Sequence, residues 1–142
     1  MTNLQVADAL IAAVNRDDHE QILSLFAEDY VGTDVAEPGM QHGREAIRRS
    51  VIRYRDGFPD LRLSAMSTVT ENNRVVLFWT ATGTHRGPLL HIPPTGRFCE
   101  VRGVSLLRIE RGQIAEGFHL WDLAALLRGV GLLPELLVDA AV

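Results

Sequence analysis

The chain has no lysine: all 14 of its basic residues are arginine. That removes every mechanism that runs through a lysine Schiff base. It has one cysteine, Cys99, which cannot close an internal disulfide and cannot alone hold a structural zinc. No apolar run reaches the roughly 18 residues of a spanning helix, so no membrane partner is expected. The start lacks the charged and apolar regions of a secretory signal, and with the single thiol this predicts a cytoplasmic location. Internal repeats and low-complexity segments are also missing.

What is present is ordinary for a soluble globule: 142 residues, 46% hydrophobic and 23% charged. Two separate cores would leave about 70 residues each, near the lower limit for unstapled folds, so one domain over residues 1–142 is expected. The net charge of −4 argues against a nucleic-acid partner, which is held through clustered positive charge.

Helical spacing of Leu4, Ala7, Leu10, Ile11 and Val14 predicts a first helix from Asn3, as its cap, to about Arg16. Asp17 is expected to cap a second helix carrying Ile22, Leu23, Leu25 and Phe26. Tyr30–Val31 reads as a short strand, Thr33–His42 as a loop and Arg44–Tyr54 as a third helix. From Leu61 to Trp121 the pattern is that of a sheet. Leu61, Leu63, Ala65 and Ser67 alternate; Asn72-Asn73 and Arg111-Gly112 read as turns. Arg74–Arg86, Phe98–Glu110 and Ile114–Trp121 read as long strands, and Asp122–Arg128 as a last helix. Three N-terminal helices followed by hairpin-joined strands predict an α+β fold, a curved antiparallel sheet enclosing a hydrophobic pocket.

Several segments then resemble one family: Asp56-Gly57-Phe58-Pro59-Asp60-Leu61, Trp79-Thr80-Ala81-Thr82-Gly83-Thr84-His85 and Ile92-Pro93-Pro94-Thr95-Gly96. Arg102-Gly103-Val104-Ser105, Arg108 to Ile114 and Trp121-Asp122-Leu123 continue the likeness. The chain resembles the SnoaL-like polyketide cyclases, cone-shaped α+β domains of the nuclear-transport-factor-like superfamily. The resemblance implies a cofactor-independent aldol closure of an aromatic polyketide, the substrate's own carbonyls delocalising the carbanion. It also implies that Asp122, near the end of the last long strand, is the general acid/base. A helix N-cap explains an aspartate there as well.

His119 is a second catalytic candidate, as donor to a forming oxyanion. Alternation puts His119 and Trp121 on one face of their strand and Asp122 on the other. Trp79 and Trp121 are candidate stacking surfaces for a flat substrate, or core filler. Arg102 is a candidate for a substrate carbonyl or carboxylate, otherwise an ion-pair partner of Glu100 or Glu116. Ser105 is a possible donor, and Asp34 a candidate at the pocket mouth. No metal site is expected, because His42, His85 and His91 lack ligand spacing; His85 and His91 read as rim residues. Cys99 reads as buried packing. Leu89, Leu90 and Ile92 are expected to form a lid or to pack on a second subunit. An uncovered sheet face predicts a homodimer or homotetramer. Alternatives to the cyclase are a hydroxylation partner, a limonene-type epoxide hydrolase using Asp122 and Arg102, and a non-catalytic binder of a hydrophobic metabolite.

Overall fold

The structure, a computed structural model, describes residues 1–137. Helix α1 (Asn3–Asn15) is capped by Thr2, one residue before the expected cap Asn3. Thr2 Oγ1 accepts the Gln5 amide at 3.1 Å and Gln5 Oε1 accepts the Thr2 amide at 2.8 Å. This reciprocal box satisfies two orphan donors at once, which an Asn3 cap would not. The cap of α2 (His19–Ser24) is Asp18, not Asp17; Asp17 makes the bend, at φ 54°.

Leu25 and Phe26 leave the helix that their spacing suggested. Leu25 accepts the Ile114 amide at 2.8 Å and Phe26 opens strand β1 (Phe26–Asp34). Pairing to a distant strand has overridden the local pattern. Tyr30 and Val31 therefore lie inside a nine-residue strand, and Gln41–His42 forms a short β2 within the expected loop. Helix α3 runs from Gly43 to Gly57.

Strands β3 (Arg62–Glu71), β4 (Arg74–Thr84), β5 (Phe98–Glu110) and β6 (Gln113–Trp121) follow, then helix α4 (Leu123–Gly129). The six-stranded sheet is ordered β2-β1-β6-β5-β4-β3. It is antiparallel except that β1 runs parallel to β6. The α+β architecture with a curled sheet is as expected. Arg111 (φ 53°) and Gly112 (φ 75°) make the two-residue β5–β6 turn, whose left-handed backbone matches strand twist.

Register sets what faces inward. Trp79 lies opposite Gly103 and Gly103 opposite Trp121; in the next inward row Ser105 lies between Leu77 and His119. A bulge at Met66 reverses the parity of β3, so Ser67 and Val69 pair with the outward Phe78 and Val76. The inward alternation expected through Ser67 thus stops at Ala65. Helices α1 to α3 pack on the inward face. Val6, Leu25, Tyr30, Leu107 and Ile114 form a core at one end; Phe58, Leu89, Cys99, Leu126 and Val130 form another.

The loop after β4 is not a rim. His85 is fully buried, its Nδ1 accepting the Thr95 amide at 3.3 Å, and its ring lies 5.5 Å from that of Phe58. Leu89 is 1% exposed and bonds Ile92 in both directions across a two-residue turn at Leu90-His91. The loop plugs the sheet's end instead of forming a lid.

The exposed edge of β3 is held by Asn15, whose Nδ2 donates to Leu63 O at 2.9 Å and whose Oδ1 accepts the Leu63 amide at 2.7 Å. Replacing Asn15 with Ala strands both backbone groups, and the expected loss is about 1–3 kcal/mol in urea unfolding. An unchanged midpoint would mean that water replaces both bonds.

Candidate functional site

Between helices and sheet lies a cavity of about 250 Å³. Its wall is mostly apolar: Leu10 and Val14 from α1, Ile47 and Val51 from α3, Leu77 and Val101 from the sheet. Asp34, Gln41, Ser50, Tyr54, Ser105 and His119 supply its polar side chains, together with Arg55 and Thr82. The terminal nitrogens of Arg55 donate to Val14 O, Pro59 O and Leu61 O, and its Nε lies 3.5 Å from Asp17 Oδ1.

The polar groups are joined in a chain. Trp79 Nε1 donates to Ser105 Oγ at 3.0 Å, and Ser105 Oγ is 2.8 Å from His119 Nδ1. His119 Nε2 is 3.4 Å from Tyr30 Oη, which donates to Gln41 Oε1 at 3.4 Å. Gln41 Nε2 donates to Glu37 Oε2 at 2.9 Å, and Arg53 pairs with Glu37. Burial pushes the Glu37 carboxyl up, but bonds from Gln41, Arg53 and Ser50 and the charge of Arg53 outweigh it, so its pKa is lowered.

On the neighbouring strand, Asp34 is the register partner of His119. Its Oδ1 accepts Trp121 Nε1 at 3.0 Å and the Ala36 amide at 2.9 Å. Among the described residues Oδ2 takes no bond. Tyr54 stands edge-on to Trp121, ring centroids 6.1 Å apart, and among the described residues its buried hydroxyl has no hydrogen-bond partner. Burial, then the Asp34 and Glu37 charges, raise the Tyr54 pKa, so the phenol remains a donor. An apolar cavity with a free carboxylate oxygen, a free phenol and a histidine can accept and give protons on a hydrophobic molecule.

A model of the SnoaL-like polyketide cyclases matches residues 4–130. The chain belongs to that family. Among solved structures, this SnoaL-like chain is 27% identical to AclR of Streptomyces galilaeus, which is called a hydroxylase. That likeness covers 98% of this chain and 85% of AclR, with a TM-score of 0.85. It is 25% identical to IdmH of Streptomyces antibioticus, called a polyketide cyclase, over 92% of this chain and 99% of IdmH, TM-score 0.80. A Catenulispora acidiphila protein with a ketosteroid isomerase-like fold is similar at 20% identity, TM-score 0.77, over 89% of this chain and 92% of its own. Among curated proteins no sequence matches.

Of the residues singled out in this SnoaL-like sequence, Asp34, Trp79, Ser105, His119 and Trp121 line the cavity together. Asp122 does not. It is exposed, faces away from His119 by strand alternation, and its Oδ1 caps α4 through the Ala125 amide at 2.9 Å. Arg102 is also outside: it is exposed on the outer face, opposite in parity to Val101 and Ser105. Glu116 pairs with Arg108, not Arg102. With Asp122 and Arg102 both outside, an Asp–Arg–Asp hydrolase arrangement is not assembled here. Tyr54 carried a sequence signal, since helical spacing on α3 turned it inward. Tyr30 and Gln41 carried none: they reach His119 and Tyr30 through the β1–β6 pairing and the β2 bridge. No helix among the described residues is long and apolar enough to cross a membrane.

Burial holds the His119 pKa below 6.5, against the opposing Asp34 and Glu37 carboxylates. Above that value both folded and unfolded forms are neutral. Below it the unfolded chain binds a proton that the folded site refuses, so stability is lost as pH falls toward the folded pKa. The Glu37 contribution is lost only lower, its folded pKa lying below 4.5. Between about pH 6.5 and 5, the urea midpoint should fall more steeply in wild type than in His119→Gln. Equal slopes would remove His119 as the cause.

Proposed function

We propose that this chain is a cofactor-independent cyclase that closes a ring of a hydrophobic, polyketide-like substrate by intramolecular aldol addition. The reading rests on one arrangement: the free Asp34 Oδ2 and the His119 ring, register partners on neighbouring strands, share an apolar cavity. Asp34 takes the proton from a carbon between two carbonyls. The resulting enolate carbon attacks a carbonyl carbon of the same molecule and a C–C bond forms. The attacked oxygen takes a proton from His119. Solvent returns the Asp34 proton to His119, and the product is an isomer of the substrate, so neither oxidant nor metal is required. The Tyr54 hydroxyl binds a substrate oxygen, and Trp79 and Trp121 flank the ring system. Asp122 serves as the α4 cap.

Ring closure of a tricyclic polyketide ester, followed in wild type and variants, tests this assignment. Asp34→Asn and His119→Gln should each lower kcat by about 10²–10⁴-fold while binding persists. Asp122→Asn should keep wild-type turnover, since asparagine caps as well as aspartate. The reverse result, loss in Asp122→Asn and retention in Asp34→Asn, would return the acid/base role to Asp122. Binding without turnover in every form would favour the second reading, a hydroxylation partner, which the likeness to AclR supports.

The same reading includes a homodimer through the outer sheet face. Phe78, Val104 and Leu120 form one cross-strand row and Val76, Leu106 and Phe118 the next. Phe118 and Leu120 are more than half exposed, at 53% and 52%, an apolar surface that a second copy would bury. Sedimentation should find a dimer in wild type and a monomer in Phe118→Glu with Leu120→Glu. A monomeric wild type would sink the assignment.

A further inference from the structure

We infer that Ser105 and Trp79 are positioning residues: with Tyr30, they lock His119 in the tautomer with hydrogen on Nε2 and a lone pair on Nδ1. The directions of the bonds are constrained by two groups that have no choice. At one end stands the Trp79 indole N–H, which can only donate. It donates to Ser105 Oγ at 3.0 Å. The Ser105 hydrogen is then free for its other neighbour, His119 Nδ1 at 2.8 Å, and donates there once the ring hydrogen is on Nε2. At the other end stands the Glu37 carboxylate, which can only accept. It takes the Gln41 amide N–H at 2.9 Å, which turns Gln41 Oε1 toward Tyr30. Tyr30 commits its single hydrogen to that oxygen, so its own oxygen can only accept from His119. Nε2, 3.4 Å away, must therefore carry the hydrogen. The Tyr30 side assigns the proton, and the Ser105 hydroxyl fits the lone pair that this leaves on Nδ1.

The consequence rests on the proposed acid/base reading. The strong bond is at Nδ1 and the long one at Nε2, so the proton His119 can give up to a substrate oxygen is Nε2–H. Its Nδ1 lone pair is occupied by Ser105. His119 enters the cycle as a donor and leaves the base's role to Asp34. Close approach makes the lock possible: a Cβ on Gly117 would stand 2.8 Å from His119 Nε2 and 2.4 Å from Tyr30 Oη.

Long-range ¹⁵N–¹H correlation of the full chain, labelled in its histidine rings, reads the tautomer directly, with His119→Gln identifying the signal. In wild type at neutral pH, His119 should show one protonated Nε2 and one bare Nδ1. In Ser105→Ala, Nδ1 loses its donor while the Tyr30 side still holds the hydrogen on Nε2, so the Nδ1 signal should move toward that of an unbonded lone pair, with kcat reduced about 10–100-fold. A wild-type Nδ1–H form, or a spectrum unchanged in Ser105→Ala, would overturn the inference. If Ser105→Ala fails to fold, Trp79→Phe carries the test, since it leaves the Ser105 hydroxyl free to turn away from Nδ1. A locked Nε2–H tautomer in a protein without ring-closing turnover would leave the lock standing and remove the cyclase reading instead.

Discussion

The polar half of the cavity depends on Gly103 having no side chain. Gly103 sits between Trp79 and Trp121 in one cross-strand row. A Cβ there would come within 2.4 Å of Trp79 Cζ2 and 2.7 Å of Trp121 Cβ. Both are far inside contact distance, and both neighbours are wide, hemmed-in groups. Only over a bare backbone can the Trp79 indole lie across the row and reach Ser105 in the next one. From Ser105 the chain of bonds runs to His119, Tyr30, Gln41 and Glu37.

That chain matters because of its surroundings. A polar group taken out of water costs free energy unless it is paired, and a paired network in an apolar shell holds its members in one arrangement. Here the shell is built from α1, α3 and the odd-numbered positions of β4 and β5. Among the described residues the Tyr54 hydroxyl and Asp34 Oδ2 take no hydrogen bond and are open to a ligand. The same desolvation keeps His119 neutral and Tyr54 protonated, so the site offers hydrogen bonds to an uncharged molecule. The two tryptophans contribute twice: their faces line the cavity and their N–H groups hold Ser105 and Asp34 in place.

Much of this was visible in the residue order. The three leading helices, the hairpin turn at Arg111-Gly112 and the long strands follow from periodicity and turn chemistry, which act over a few residues. The facing of His119 and Trp121 away from Asp122 follows from the two-residue repeat of a strand. The errors arose where distant pairing outweighed local pattern. Phe26 left a helix to pair with Ile114; Met66 bulged and turned Ser67 outward; His85 and Leu89 were drawn under the loop expected to be a rim and a lid.

The sequence by itself determined the α+β class and the family, and offered Asp34, Trp79, Ser105, His119 and Trp121 as cavity candidates beside Asp122 and Arg102. These rest on strand parity and motif spacing, properties of neighbours along the chain. Tertiary structure alone decided that Asp34 faces His119, and so which carboxylate shares the cavity with that ring. It also decided the direction in which the bonds about His119 run. Those facts depend on the parallel pairing of β1 with β6, 89 residues apart at Tyr30 and His119, and no local period encodes such a pairing.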